Sequence, residues 1–166
     1  MKEEYIKFVL GLGRPGLSDP SKLGIYGKFY DALEAVKDIE GDVVECGVGV
    51  GWGSQMITKA IELAGRKRKL LCFDSWEGFP ETGPLDVSKD GKVRKKGHFR
   101  GYDGERGVLE AREFMKKFDD GFIKNKLSIP TKVQGFFADT IPGKLPKEIA
   151  FAFLDGDLYE SIKHSL

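Results

Sequence analysis

The apolar positions of this chain change period several times, and each change marks an element. Tyr26, Phe29, Tyr30, Leu33 and Val36 recur every three or four residues, which predicts an amphipathic helix from Tyr26 to Ile39. Gly41-Asp42 stops it, and Val43-Val44-Glu45-Cys46 follows as a short buried strand. After a glycine-rich turn, Met56, Ile57, Ala60, Ile61 and Ala64 share one face of a helix from Ser54 to about Ala64, closed by Gly65. Leu70 to Asp74 is a second strand, and helical spacing resumes from about Val108 to Phe118. Thr131 to Phe137 and Ile149 to Asp155 are predicted third and fourth strands. The fourth is almost purely apolar, as expected of an interior strand in a parallel sheet. A last helix begins at Tyr159. Strands alternating with helices predict an open α/β sheet with right-handed crossovers.

Two stretches break this rhythm. Residues 1–25 hold the turn-rich pieces Gly11 to Gly16 and Ser18 to Ser21, and read as an N-terminal arm that swaps between subunits or covers a substrate site. Residues 81–107 have no apolar period and are rich in Gly, Lys and Arg; a stretch this long inside a domain reads as a lid-like insertion or a solvated loop. Asp86, Asp90, Asp103 and Glu105 partly offset its basic residues, and His98 lies within it.

Composition narrows the classes. With 27 Lys+Arg against 26 Asp+Glu, the net charge of +1 gives no field for nucleic acid or an anionic membrane. No apolar run approaches the ~20 residues of a spanning helix, and the charged start lacks the pattern of a signal peptide. Cys46 and Cys72 both sit in apolar runs, so they read as buried thiols of a reducing, cytoplasmic compartment. The outlier is glycine, 22 residues in 166, about 13% where ~7% is usual.

Four of those glycines fall in Glu45-Cys46-Gly47-Val48-Gly49-Val50-Gly51-Trp52-Gly53-Ser54, between a strand and a helix. There, glycines admit a close ligand and the helix start offers free N–H groups. A phosphate-binding P-loop would need a Lys before Ser54, and none is present. A dinucleotide turn counted from Gly47 would put Trp52 at its third small position. An acidic residue, a spacer and Gly-x-Gly-x-Gly is the pattern of S-adenosylmethionine (SAM) methyltransferases, and Glu45, Gly47, Gly49 and Gly51 fit it. A ligand-free glycine turn is the plain alternative.

Asp74 ends the second strand where nucleotide-binding α/β folds place a ribose-binding carboxylate. Trp76 beside it can pack on an adenine face or simply fill the core. Asp139 and Thr140 follow the third strand, either on the adenine side of the crevice or as caps of a short helix. Asp155-Gly156-Asp157 ends the fourth strand. Its two carboxylates can hold a hard cation, divide metal binding from proton transfer, or cap the next helix.

Four segments in this order, Val43 to Val48, Asp74 to Pro80, Ala138 to Pro142 and Leu154 to Ser161, resemble the macrocin/mycinamicin O-methyltransferase family. The resemblance runs from about Tyr26 to Leu166. It implies a Rossmann-like class I methyltransferase fold, a three-layer sandwich on a parallel sheet, and SAM-dependent, Mg²⁺-assisted methylation of a sugar hydroxyl. Carried over, it places Glu45, Gly47, Gly49, Gly51 and Ser54 at the methionine end of SAM and Asp74 on the ribose. Ser75 and Trp76 flank the adenosine, Asp139 and Thr140 lie near the adenine, Asp155 ligates the metal and Asp157 is the general base.

Measured against that family, a seven-stranded sheet is expected and four strands are present. Two further metal-binding aspartates are expected beyond Asp155, and none follows Asp157. The chain therefore reads as C-terminally truncated within residues 26–166, with the SAM half largely present and the fourth strand left at a sheet edge. A SAM-binding module without turnover and a nicotinamide-dependent oxidoreductase are the alternatives. The expected partner is a small hydroxylated acceptor, and the oligomeric state stays open.

Overall fold

The computed structural model describes residues 1–87, 91, 93, 95–98 and 110–166. Among the described residues, six α-helices and four strands follow in order: α1 (Lys2–Gly11), α2 (Phe29–Ala35), β1 (Asp42–Cys46), α3 (Trp52–Ala64), β2 (Leu70–Asp74), α4 (Ala111–Lys124), β3 (Thr131–Gln134), α5 (Phe137–Lys144), β4 (Ile149–Leu154) and α6 (Tyr159–Ser165). The strands form one parallel sheet in the order β3-β2-β1-β4. After β3 the chain therefore crosses back over two strands to pair β4 with β1. That reversal opens a crevice beyond the carboxyl ends of β1 and β4, the place where open α/β sheets bind ligands.

Alternation along the strands sorts residues to two faces. Val43 and Cys72 face a large core with Met56, Ile57 and Ala60 of α3 and Phe114, Phe118 and Phe122 of α4. Val44, Cys46 and Phe73 face a smaller cluster with Ile141 of α5. Helices thus cover both faces, giving the expected three layers. No helix among the described residues is long and apolar enough to cross a membrane.

The arm is built into this core. Tyr5 and Val9, one turn apart on α1, are fully buried, and burying each such side chain contributes about 1.5–3 kcal/mol. The Tyr5 hydroxyl donates to the Tyr26 carbonyl at 2.5 Å.

Several boundaries differ from expectation for identifiable reasons. The helix expected over Tyr26–Ile39 splits into a 3₁₀ turn (Gly24–Lys28) and α2, which ends at Ala35. Gly24 and Gly27 weaken its first turn, and the Arg68 guanidinium collects the carbonyls of Val36, Lys37, Ile39 and Gly41 that a longer helix would have paired. β3 stops at Gln134, and Phe137 instead opens α5. α4 starts at Ala111, while Val108 lies outside the described residues. β4 lies at the edge of the sheet, not in its interior, and Ile149 is exposed. Of the lid-like insertion, residues 88–90, 92, 94 and 99–107 lie outside the described residues.

Candidate functional site

A cleft of about 310 Å³ opens beyond the carboxyl ends of the strands, at the small end of the range for small-molecule sites. The turn after β1, Asp74 and Ser75 after β2, Gly135 to Phe137 after β3, and Asp155 to Asp157 after β4 line it. Arg14 and Tyr26 join them from the N-terminal arm.

The glycine turn is held mainly by protein contacts. A side chain on Gly47 would overlap the Asp155 carbonyl oxygen, one on Gly51 would stand 2.5 Å from the Phe118 ring, and one on Gly53 would stand 2.5 Å from Glu45 Oε1. Gly49 alone of the four faces open space. The first three glycines therefore let the turn pack down, and Gly49 leaves the cleft clear.

Glu45 lies beneath this turn, fully buried. The Ser54 hydroxyl donates to Glu45 Oε2 at 2.5 Å, and the Cys72 thiol lies 3.7 Å from the same oxygen. Burial pushes the Glu45 carboxyl up to about 8, against the lowering effect of the Ser54 and Cys72 hydrogen bonds. Burial likewise pushes Cys46 up to about 12 and raises Cys72 well above its usual range, so both are inert thiols. Ser54 acts on the site through Glu45, since it does not line the cleft.

Asp74 is the tie between β2 and the glycine turn. Its Oδ2 accepts the N–H groups of Val48 at 2.8 Å and Gly49 at 3.0 Å, and its Oδ1 accepts that of Trp76 at 2.7 Å. Ser75 accepts from Glu77 N–H and donates to the Gly78 carbonyl, which folds the loop after β2 along the cleft wall. Trp76 is not on that wall. It is fully buried, its ring edge-on to Phe118, and its indole N–H donates to the Gly49 carbonyl at 3.2 Å. Its role is to buttress the turn from the core.

Asp139 and Thr140 do not reach the cleft either. Both sit in the first turn of α5, where Asp139 is exposed and the Thr140 hydroxyl donates to the Phe136 carbonyl. The position after β3 is taken by Gly135, Phe136 and Phe137. Gly135 combines a φ of +140° with a tight approach to the Thr140 side chain, and so turns the chain away early.

Asp155 and Asp157 do meet in the cleft. The Asp155 N–H extends the β1–β4 pairing to the Cys46 carbonyl at 2.7 Å. Burial raises the Asp155 carboxyl above its usual range, Asp157 adds to the rise, and Arg14 opposes it. Asp157 has a φ of +59°, a conformation that costs a non-glycine residue energy and recurs at functional sites. Among the described residues no group of three or more His, Cys, Asp or Glu side chains is placed to hold a metal. The donor set at this corner is two carboxylates beside a guanidinium, fewer protein ligands than the family expectation includes.

Two contributions were not legible in advance. Asp86 reads from sequence as a balancing surface charge, yet it is buried, accepting from Gly83 N–H at 2.8 Å and from Tyr159 N–H at 2.7 Å. It thereby fastens the start of the 81–107 segment to the first residue of α6. Arg14 and Tyr26 come from residues read as loop and helix; only the Gly13-Arg14-Pro15-Gly16 turn hinted at a fixed position there.

Comparison with known proteins finds related sequences and folds. Residues 27–166 match the family described as Macrocin-O-methyltransferase (TylF). The chain is 32% identical over 135 residues to the 8-demethyl-8-(2,3-dimethoxy-alpha-L-rhamnosyl)-tetracenomycin-C 4'-O-methyltransferase of Streptomyces olivaceus, an alignment spanning 77% of this chain and 47% of that protein. The chain thus spans about half the length of that relative. Its fold resembles the crystal structure of CalS11, a calicheamicin methyltransferase, with a TM-score of 0.68 and 20% identity over 98% of this chain and 68% of the other. It also resembles the O-methyltransferase NovP, with a TM-score of 0.60 and 22% identity over 96% of this chain and 73% of the other.

Proposed function

The chain belongs to the macrocin O-methyltransferase family, and from that premise we propose that it takes part in SAM-dependent methyl transfer to a hydroxyl of a sugar-bearing small molecule. The observation that carries this reading is the convergence of the Glu45 to Gly53 turn, Asp74 and the Asp155 to Asp157 loop on one cleft at the sheet's point of reversal. Named relatives support the acceptor class: one methylates a rhamnosyl group, and CalS11 is described in a second structure as a TDP-rhamnose 3'-O-methyltransferase.

In this reading Asp74 keeps the glycine turn in shape and offers its remaining lone pairs to the ribose hydroxyls. Ser75 and Phe136 border the adenosine; Asp139 and Thr140 act only through the shape of the loop they follow. The methyl group arrives already activated as a sulfonium, so the protein's main contribution is alignment. The acceptor oxygen forms its bond to the methyl carbon as the sulfur–carbon bond breaks, and S-adenosylhomocysteine leaves. The hydroxyl proton passes to the Asp157 carboxylate as general base. Magnesium belongs to the family expectation through Asp155, but the described residues do not complete its ligand set, and no step here runs through a metal.

Calorimetric titration with S-adenosylhomocysteine and, separately, NAD⁺ tests this reading. Binding of the first alone is expected. Binding of NAD⁺ alone would turn the assignment toward the oxidoreductase alternative.

A further inference from the structure

The two ends of the cleft differ in chemistry. One, beyond β2 and β3, is bordered by Ser75, Phe79, Pro80 and Phe136. The other, beyond β4, holds Asp155, Asp157 and Arg14, and Arg14 is the only cation among the described residues that line the cleft. In the order β3-β2-β1-β4 these ends lie two to three strand spacings apart, roughly 10–14 Å. SAM has the same polarity, an aromatic base at one end and a zwitterionic amino acid at the other.

Arg14 is held in place by its surroundings. It begins a turn closed by the Leu17 N–H donating to the Arg14 carbonyl at 3.1 Å, and Leu12 and Leu17 are buried on either side. Gly13 and Gly16 supply the positive φ values, +72° and +84°, that bring the chain around. The guanidinium carbon lies 4.3 Å above the Tyr26 ring centre. Tyr26 in turn is fixed by the buried Tyr5 hydroxyl on its carbonyl and by edge-on packing against Phe29. This places a pre-oriented guanidinium fork beside two carboxylates at the charged end.

We propose that Arg14, seated on Tyr26, binds the α-carboxylate of the cofactor's methionine moiety, while the neighbouring Asp155 favours its ammonium group. The arm is then part of the cofactor site and not only a cover. A planar guanidinium suits a carboxylate through paired N–H donors, and Asp155 and Asp157 would repel that carboxylate if Arg14 were absent. The inference rests on the cofactor reading above and deepens it.

The test compares two probes by calorimetry, S-adenosylhomocysteine and 5′-methylthioadenosine, which lacks the amino-acid group. For Arg14→Ala, affinity for S-adenosylhomocysteine is expected to fall at least about tenfold, the scale of a lost charge-assisted pair. Affinity for 5′-methylthioadenosine should stay within a factor of about two, which also shows that the variant is folded. Arg14→Lys should recover part of the loss. Unchanged binding of S-adenosylhomocysteine, or a parallel fall for both probes, overturns the inference. Failure of the unaltered protein to bind S-adenosylhomocysteine sinks the cofactor reading, and this inference with it.

Discussion

The two sides of the cleft are built on opposite principles. On the β1–β2 side, Asp74 takes three backbone N–H groups, Trp76 braces Gly49 from the core, and Gly51 and Gly53 let the turn settle onto Phe118 and Glu45. On the β4 side, two carboxylates and a guanidinium share the cleft wall, Asp155 is raised by burial and by Asp157, and Asp157 holds a left-handed backbone. The first side has spent its polar groups on shape. The second keeps charge where a ligand or a proton can use it. A site for an activated cofactor needs both, because alignment demands a stiff cradle and chemistry demands groups held ready to change state.

The largest effect that would probe this contrast is expected at Gly47, where the two sides touch. Gly47→Ala forces a methyl group into the Asp155 carbonyl at a φ of +89°. A loss of about 3 kcal/mol or more is expected, measured by urea unfolding. A loss below about 1 kcal/mol would show that the sides are not tightly joined.

Asp74→Ala follows. It leaves three backbone N–H groups without their acceptor, so about 2 kcal/mol of stability should be lost together with cofactor binding. A variant that binds S-adenosylhomocysteine as tightly as the unaltered protein removes Asp74 from the site.

Glu45 sharpens the contrast through pH. Its folded value of about 8 lies above the ordinary 4.5, so the folded state holds a proton that the unfolded chain has released. Its contribution is complete below pH 4.5 and is lost as pH rises through 8. Relative to Glu45→Gln, the unaltered protein should lose stability between those pH values, at about 1.4 kcal/mol for each pH unit. Parallel stability curves for the two proteins would show that Glu45 is not held in a water-poor site.

A further effect is expected for Trp76→Phe, which keeps a benzene ring but deletes the pyrrole half of the indole with its N–H bond to Gly49. About 1–3 kcal/mol should be lost from the missing bond and the cavity, with a modest weakening of S-adenosylhomocysteine binding. A large change in affinity at unchanged stability would instead place the ring against the ligand.

Much of the rigid side was legible in the chain itself, because its signals are local. Val43 to Cys46 and Leu70 to Asp74 are compact apolar runs, α3 has a clear helical stripe, and the acidic–glycine pattern needs only seven consecutive residues. The family resemblance, resting on four ordered segments, is confirmed over residues 27–166. The charged side depends on contacts between distant parts of the chain. Asp86 caps α6 across 73 positions, and Arg14 joins Asp155 on the cleft wall from the arm; neither leaves a periodicity to read. Trp76, Asp139 and Thr140 show the converse. Their positions after strand ends were legible, but side-chain direction follows from Trp76's φ of +52° and from the early turn at Gly135, which the chain pattern does not encode.

The most direct measurement is a structure determined with S-adenosylhomocysteine bound. The adenosine is expected along Ser75 and Phe136, with its ribose on Asp74 and the amino-acid end toward Arg14 and Asp155. A ligand bound in the reverse direction, or outside this cleft, would contradict the division of the site into a shaped side and a charged side.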